Sequence, residues 1–171
     1  MSERKGLITL GGKPVTLTGH EVRLGDAAPN FVAIDNQLAP VEFSAYRGKV
    51  IILSSVLSLD TSVCDTETRK FNEAAAKLEP EVKIVTLSMD LPFTQKRWCA
   101  AAGIDQVVTL SDHKERAFGL AYGLLIKEIA MLARAVLVID RQGIVRYIEL
   151  VKEVGTEPDY EKVIAAAKSL V

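Results

Sequence analysis

Apolar residues fall along the chain in short blocks whose period changes from one block to the next. Val50 to Val56, VIILSSV, is an almost continuous apolar run of strand length, rich in β-branched residues, which predicts a strand covered on both faces. VKIVTLSM, from Val82 to Met89, predicts a second strand, and QVVTL a short third one. Between them the pattern turns helical. Residues 64–78, CDTETRKFNEAAAKL, bring Phe71, Ala74, Ala75 and Leu78 to one side. Pro92 to Gly103 predicts a second helix, with proline near its start and glycine at its end. SDHKERAFGLAYG predicts a short helix begun by Ser111 or Asp112, and EPDYEKVIAAAKSLV a closing amphipathic one. ARAVLVID and IVRYIEL flank an Asp140–Gly143 turn as a hairpin. LITLGGKPVTLTG makes another about Gly11 and Gly12. GDAAPNF reads as an irregular entry, and QLAPVEFSAYRGK as a short strand and a loop closing at Gly48.

After the first hairpin the order is strand, helix, strand, helix, strand, helix, hairpin, helix. That alternation predicts an α/β fold with a central sheet, made mixed by the late hairpin. No repeat, low-complexity tract or linker divides the chain, so residues 1–171 are expected to form one domain, with 1–19 as an N-terminal hairpin extension.

Composition narrows the function. Hydrophobic residues make up 49% and charged ones 25%, the balance of an ordinary globular protein. The net charge of −1 provides no basic field for nucleic acid or an anionic membrane. No stretch is long and apolar enough to span a bilayer, and the first residues lack a signal-peptide pattern, so a cytoplasmic location is expected. In that compartment two cysteines, Cys64 and Cys99, are expected to be free or redox-active rather than a staple. His20 and His113 have no ligand cluster at metal spacing and are assigned to the surface; no cofactor motif is found.

Cys64 is the candidate for chemistry. It is placed where a buried strand meets a helix N-terminus, whose free N–H groups and dipole favour a thiolate. Ser62 and Asp65 loosely match a capping box. Thr61, three residues earlier, could donate its hydroxyl to the sulfur. Asp60, Asp65 and Glu67 oppose a thiolate, so a cation is needed, and Arg69 and Lys70 are expected to point outward. Arg134, in MLARAVLVI, must be paired if buried, because it cannot shed its proton. A thiolate is one possible partner; a structural carboxylate such as Glu128 is another. The competing readings are plain ones. A cysteine taken alone is more often a small core residue, Cys99 beside Trp98 reads as buried, and Trp98, Phe93 and Phe71 read as packing.

Three segments, SLDTSVCDTETRKFNE, TLSMDLPFTQKRWC and LLARAVLVID, together resemble the thiol peroxidase group of the peroxiredoxins, the atypical two-cysteine class. The resemblance runs through nearly the whole chain. It implies a thioredoxin-like fold and a homodimer. It also implies Cys64 as peroxidatic cysteine, Cys99 as resolving cysteine, Thr61 as the hydroxyl orienting thiolate and peroxide, and Arg134 as the site's cation. Leu57 and Val63 would wall the substrate site. The implied substrates are hydroperoxides and the implied reductant is thioredoxin, with no bound cofactor. The family signature P-x-x-x-T-x-x-C reads LSLDTSVC here, with Leu57 in the proline's place. Leucine keeps an apolar wall but frees φ and adds an N–H. A redox relay that uses the Cys64–Cys99 couple with little turnover is the alternative reading.

Overall fold

The computed structural model describes residues 2–78 and 80–171. Its elements, in chain order, begin with β1 (Glu3–Leu10), β2 (Lys13–Thr18), β3 (Val32–Ile34), β4 (Pro40–Glu42) and a 3₁₀ turn (Phe43–Tyr46). They continue with β5 (Val50–Ser55), α1 (Ser62–Ala75), β6 (Val82–Ser88), α2 (Pro92–Ala102), β7 (Val108–Ser111) and α3 (Ala117–Ala121). β8 (Leu125–Ile126), β9 (Met131–Leu132), β10 (Ala135–Ile139), β11 (Val145–Leu150) and α4 (Tyr160–Lys168) complete the chain. None of these helices is long and apolar enough to cross a membrane.

The central sheet has the order β11-β10-β5-β6-β7-β3-β4. β5, β6 and β7 run parallel, while β10 and β3 join them antiparallel. It is the mixed sheet that the late hairpin predicts. The unbroken apolar run of β5 follows from its central place. Val50 and Ile52 face one core, with Phe71 of α1 and Val163 of α4; Ile51 and Leu53 face the other, with Phe31, Phe43 and Phe118. Phe71 is fully buried, a contribution of about 1.5–3 kcal/mol.

Three short strands escape the sequence pattern: β3, β8 and β9 have only two or three residues each, too few for a period. Two of them change the role of the N-terminal hairpin. β2 pairs with β8, Leu17 opposite Ile126, so the hairpin is half of a second sheet, β1-β2-β8-β9, rather than a free extension. Its own core holds Ile8, Val15, Leu17, Ile126, Ala133 and Val154. Within the hairpin, Gly11 and Gly12 form the two-residue turn with φ of 57° and 78°, the positive values such turns require.

α3 is shorter than the pattern predicts. Arg116 takes a φ of 54° and ends the turns that precede it, and only Ala117–Ala121 is helical. Asp112 still caps the helix, from a distance. Its carboxylate accepts the N–H groups of Phe118 (3.0 Å) and Gly119 (2.8 Å). Burial outweighs these bonds and pushes Asp112 up to about 6. The folded protein therefore binds this proton more tightly than the unfolded chain, whose value is 3.8. Stability from this group is full below about pH 4 and is lost as pH rises to about 6, a change of about 3 kcal/mol. Urea unfolding at the two pH values should show this loss as the difference between wild type and Asp112→Asn. An identical pH slope in both would refute it.

Candidate active site

β5 delivers the chain to the site. Val56 N–H continues the ladder to Leu87 O (3.0 Å), and residues 57–61 then turn into α1. Cys64 is the third residue of that helix and is fully buried. It packs with Val56 and Leu59, and half-buried Leu57 and Trp98 close the cluster. Leu57 is thus a wall of the thiol site. Val63 is not in that cluster; it lines an open groove of about 370 Å³ with Ser62, Thr66, Gly155, Thr156 and Glu157.

Arg134, just ahead of β10, reaches the sulfur. Its Nη2 donates to Cys64 Sγ at 3.1 Å and its Nε to Val154 O at 2.9 Å, while Nη1 donates to Glu67. The side chains of Arg134 and Glu67 are both buried, and Ser54 donates its hydroxyl to the second carboxylate oxygen (2.8 Å). Glu67, not Glu128, is the structural carboxylate; Glu128 instead accepts the N–H of Thr16. Read only as a negative charge opposing the thiolate, Glu67 hides its role in a charged stretch of sequence. Its spacing from Cys64, three residues along one helix, was the available signal. Burial opposes Arg134's charge, but Glu67 and then Cys64 hold its proton more tightly than usual.

Other expectations are corrected as well. The Thr61 hydroxyl is not directed to the sulfur: it donates to Ser58 O (2.8 Å). Thr61 is the N-cap residue of α1 by backbone geometry, so Ser62 and Asp65 form no capping box. Asp65 accepts Trp98 Nε1–H (2.8 Å) from the neighbouring helix and Arg69 Nε–H (2.9 Å) from its own. Phe93, expected to pack, is exposed. His20 is exposed, and His113 is half-buried with its Nδ1 2.8 Å from Ser111 Oγ.

Cys99 lies in the last turn of α2. Gly103 ends the helix at a φ of 68°, and its N–H and that of Ile104 both reach the Cys99 carbonyl. The thiol is half-buried, 3.5 Å from Thr109 Oγ1, and packs into the core around Phe71. Both cysteines are free thiols in separate apolar clusters, and Trp98 touches both clusters.

Asp90 is the residue that sequence reading passed over. One carboxylate oxygen accepts the Ser58 hydroxyl (2.7 Å); the other accepts the Leu59 N–H (2.8 Å) and the Ser88 hydroxyl (2.7 Å). Ser58 in turn receives Thr61 through its carbonyl, so one carboxylate fixes the loop from Leu57 to the start of α1. It also holds buried Leu59 over the sulfur. In a loop that lacks the signature proline, this clamp supplies rigidity by hydrogen bonding. Asp90→Asn leaves Leu59 N–H or Ser58 without an acceptor and should cost about 1.5–3 kcal/mol of stability, measured by urea unfolding. Unchanged stability would mean that the clamp contributes nothing.

Leu57 N–H makes no protein hydrogen bond among the described residues. Leu57→Pro therefore removes no such bond and restricts a loop already fixed by Asp90. Stopped-flow oxidation should show a modest rise in the peroxide rate with unchanged products. An unchanged rate would assign to this position the apolar wall alone.

The family model described as Redoxin matches residues 23–164. A thiol peroxidase of Halalkalibacterium halodurans is 54% identical over 162 residues, covering 95% of this chain and 97% of that protein. One of Bacillus subtilis is 53% identical, covering 96% and 98%. Among solved structures, a peroxiredoxin-like protein from Aquifex aeolicus superimposes with a TM-score of 0.90 at 42% identity, covering 96% of each chain. A thiol peroxidase from Chromobacterium violaceum, 22% identical with a TM-score of 0.83 over 95% of each chain, shares the fold. With a buried thiol at a helix N-terminus, a guanidinium on it and likeness over almost its full length, the chain belongs to the thiol peroxidases of the redoxin family.

Proposed function

We propose that this chain reduces hydroperoxides, with Cys64 as the peroxidatic thiol and Cys99 as the resolving one. The observation that carries this reading is the bond from Arg134 Nη2 to Cys64 Sγ at 3.1 Å in the first turn of α1. Guanidinium, free helix N–H groups and helix dipole all favour a thiolate at that atom.

The thiolate attacks the terminal oxygen of ROOH and breaks the O–O bond. Cys64 becomes a sulfenic acid, and the departing RO⁻ takes up a proton to leave as ROH. Arg134 stabilises the charge that moves onto the departing oxygen. Thr61 acts on the loop rather than on the sulfur, since its hydroxyl proton lies on Ser58 O. Cys99 then condenses with the sulfenic acid, forming a disulfide and releasing water. Because a disulfide requires Cα atoms within about 7 Å and the thiols occupy separate clusters, a helix end must first give way. A dithiol protein of the thioredoxin type reduces the disulfide by exchange. A homodimer and a cytoplasmic location belong to the same reading; exposed Leu91 and Phe93, ahead of and within the first turn of α2, give a second copy an apolar surface.

A stoichiometric peroxide pulse followed by intact-mass measurement tests the chemistry. Wild type should lose two hydrogens, Cys99→Ser should gain one oxygen, and Cys64→Ser should do neither. Reaction of Cys64 no faster than a free thiol would end the peroxidase reading. A relay without turnover is the reading that the thiol peroxidase relatives disfavour; steady NADPH consumption with thioredoxin and its reductase would exclude it.

A further inference from the structure

Arg134 faces two acids, not one. Cys64 lies on Nη2 and Glu67 on Nη1, and all three side chains are buried. If both acids ionise, the core holds a net negative charge away from water. If neither does, it holds an uncompensated guanidinium, which cannot shed its proton. One proton between the two acids makes the cluster neutral.

We propose that Cys64 and Glu67 share a single proton across Arg134. When Cys64 is a thiolate, Glu67 is a neutral carboxylic acid. When Cys64 is a thiol, or has been oxidised to an uncharged product, Glu67 is the carboxylate.

The surroundings of Glu67 suit both states. Ser54 Oγ, 2.8 Å away, can donate to a carboxylate or turn its lone pair toward a carboxylic acid, with no heavy atom moving. Burial draws the proton toward Glu67, against the pull of Arg134 and then of the Ser54 hydroxyl; the charge of Glu149 on β11 adds to burial. Tyr160 on α4 also feels the charge of Glu67, and Glu157 that of Arg134. Lys70 is engaged outside the cluster, paired with Glu157 at 3.1 Å, so among the described residues Arg134 alone is in ion-pair contact with Glu67.

Under the proposed function the arrangement also closes the proton count. Attack converts the thiolate to an uncharged sulfenic acid and yields RO⁻. Loss of the thiolate charge lets Glu67 release one proton, equal to the one RO⁻ takes up to become ROH. The core is neutral before and after the step.

Infrared difference spectroscopy on the reduced, full-length protein at neutral pH tests the sharing. Wild type should show the carbonyl stretch of a buried protonated carboxyl, and Glu67→Gln should lack it. The band should also be lost in Cys64→Ser, where Arg134 has only Glu67 to neutralise it. A band that persists in Cys64→Ser would mean that burial alone keeps Glu67 neutral, and a wild type without the band would mean that Glu67 stays ionised; either overturns the proposal. Glu67→Gln keeps both hydrogen bonds, since its amide can accept from Arg134 and donate to Ser54. It should also alkylate Cys64 with iodoacetamide severalfold faster than wild type, because Arg134 then serves the sulfur alone. Slower alkylation would make Glu67 a mere support for Arg134 and overturn the sharing. These measurements need no peroxide turnover, so they stand apart from failure of the peroxidase reading.

Discussion

A guanidinium in the protein core sets the terms for everything around it. Arg134 cannot be neutralised by losing its proton, and an unpaired charge at that depth would cost several kcal/mol. Each of its nitrogens therefore has a partner: Glu67 and Cys64 from α1, and Val154 O from the segment after β11. The arginine's own carbonyl accepts Val151 N–H, and the carbonyl before it accepts the Ser55 hydroxyl at the end of β5. The requirement to satisfy one cation thus fixes the start of α1 against the sheet. The Cys64 sulfur is held in place by the same guanidinium, which donates to it.

The loop before α1 is held by a second charge. Asp90 projects from the end of β6 and reaches back over the carboxyl edge of the sheet to Ser58 and Leu59. Its own backbone is fixed in turn, its carbonyl accepting the Ser111 hydroxyl from the end of β7. Arg134 donates to the sulfur from just ahead of β10, and Asp90 holds the loop beside it from just after β6. Between them, a cysteine with no proline beside it is kept in a defined position.

What was legible in the sequence follows from length and period. β5 could be read because six buried residues in a row leave no other element of that length. Arg134 could be read because one charge in an apolar run is conspicuous. The sequence could not choose its carboxylate, because Glu67 stands among charges that mostly face water, and Glu128 was nearer in sequence. Thr61 was misplaced for a local reason. A hydroxyl three residues before the cysteine can turn toward the sulfur or toward a carbonyl three residues earlier, and spacing alone does not decide between them. Asp90 was invisible because its bonds span more than thirty residues and join two loops without a periodic pattern.

Packing also distinguishes the two helices that carry the cysteines. α1 buries Cys64, Glu67, Thr68 and Phe71, and an ion pair pins it in the core. α2 buries only Pro92 and Gln95, and it lies over Ser88, Thr109 and Ser111 where an apolar face would be expected. Gln95 Nε2 reaches Ser88 and Leu110 O, but Gln95 Oε1 and Thr86 Oγ1 find no partner among the described residues. A buried polar group left unpaired costs about 1–3 kcal/mol, so the seat of α2 is weaker than its burial suggests. Lifting α2 withdraws only the half-buried Trp98, Cys99 and Ala102 from the core around Phe71, and it exposes groups that gain from water. Unwinding the inner face of α1 would expose Phe71 and strand the guanidinium. For the disulfide step proposed above, the smaller barrier therefore lies in moving Cys99 toward a Cys64 that Arg134 and Asp90 hold in place.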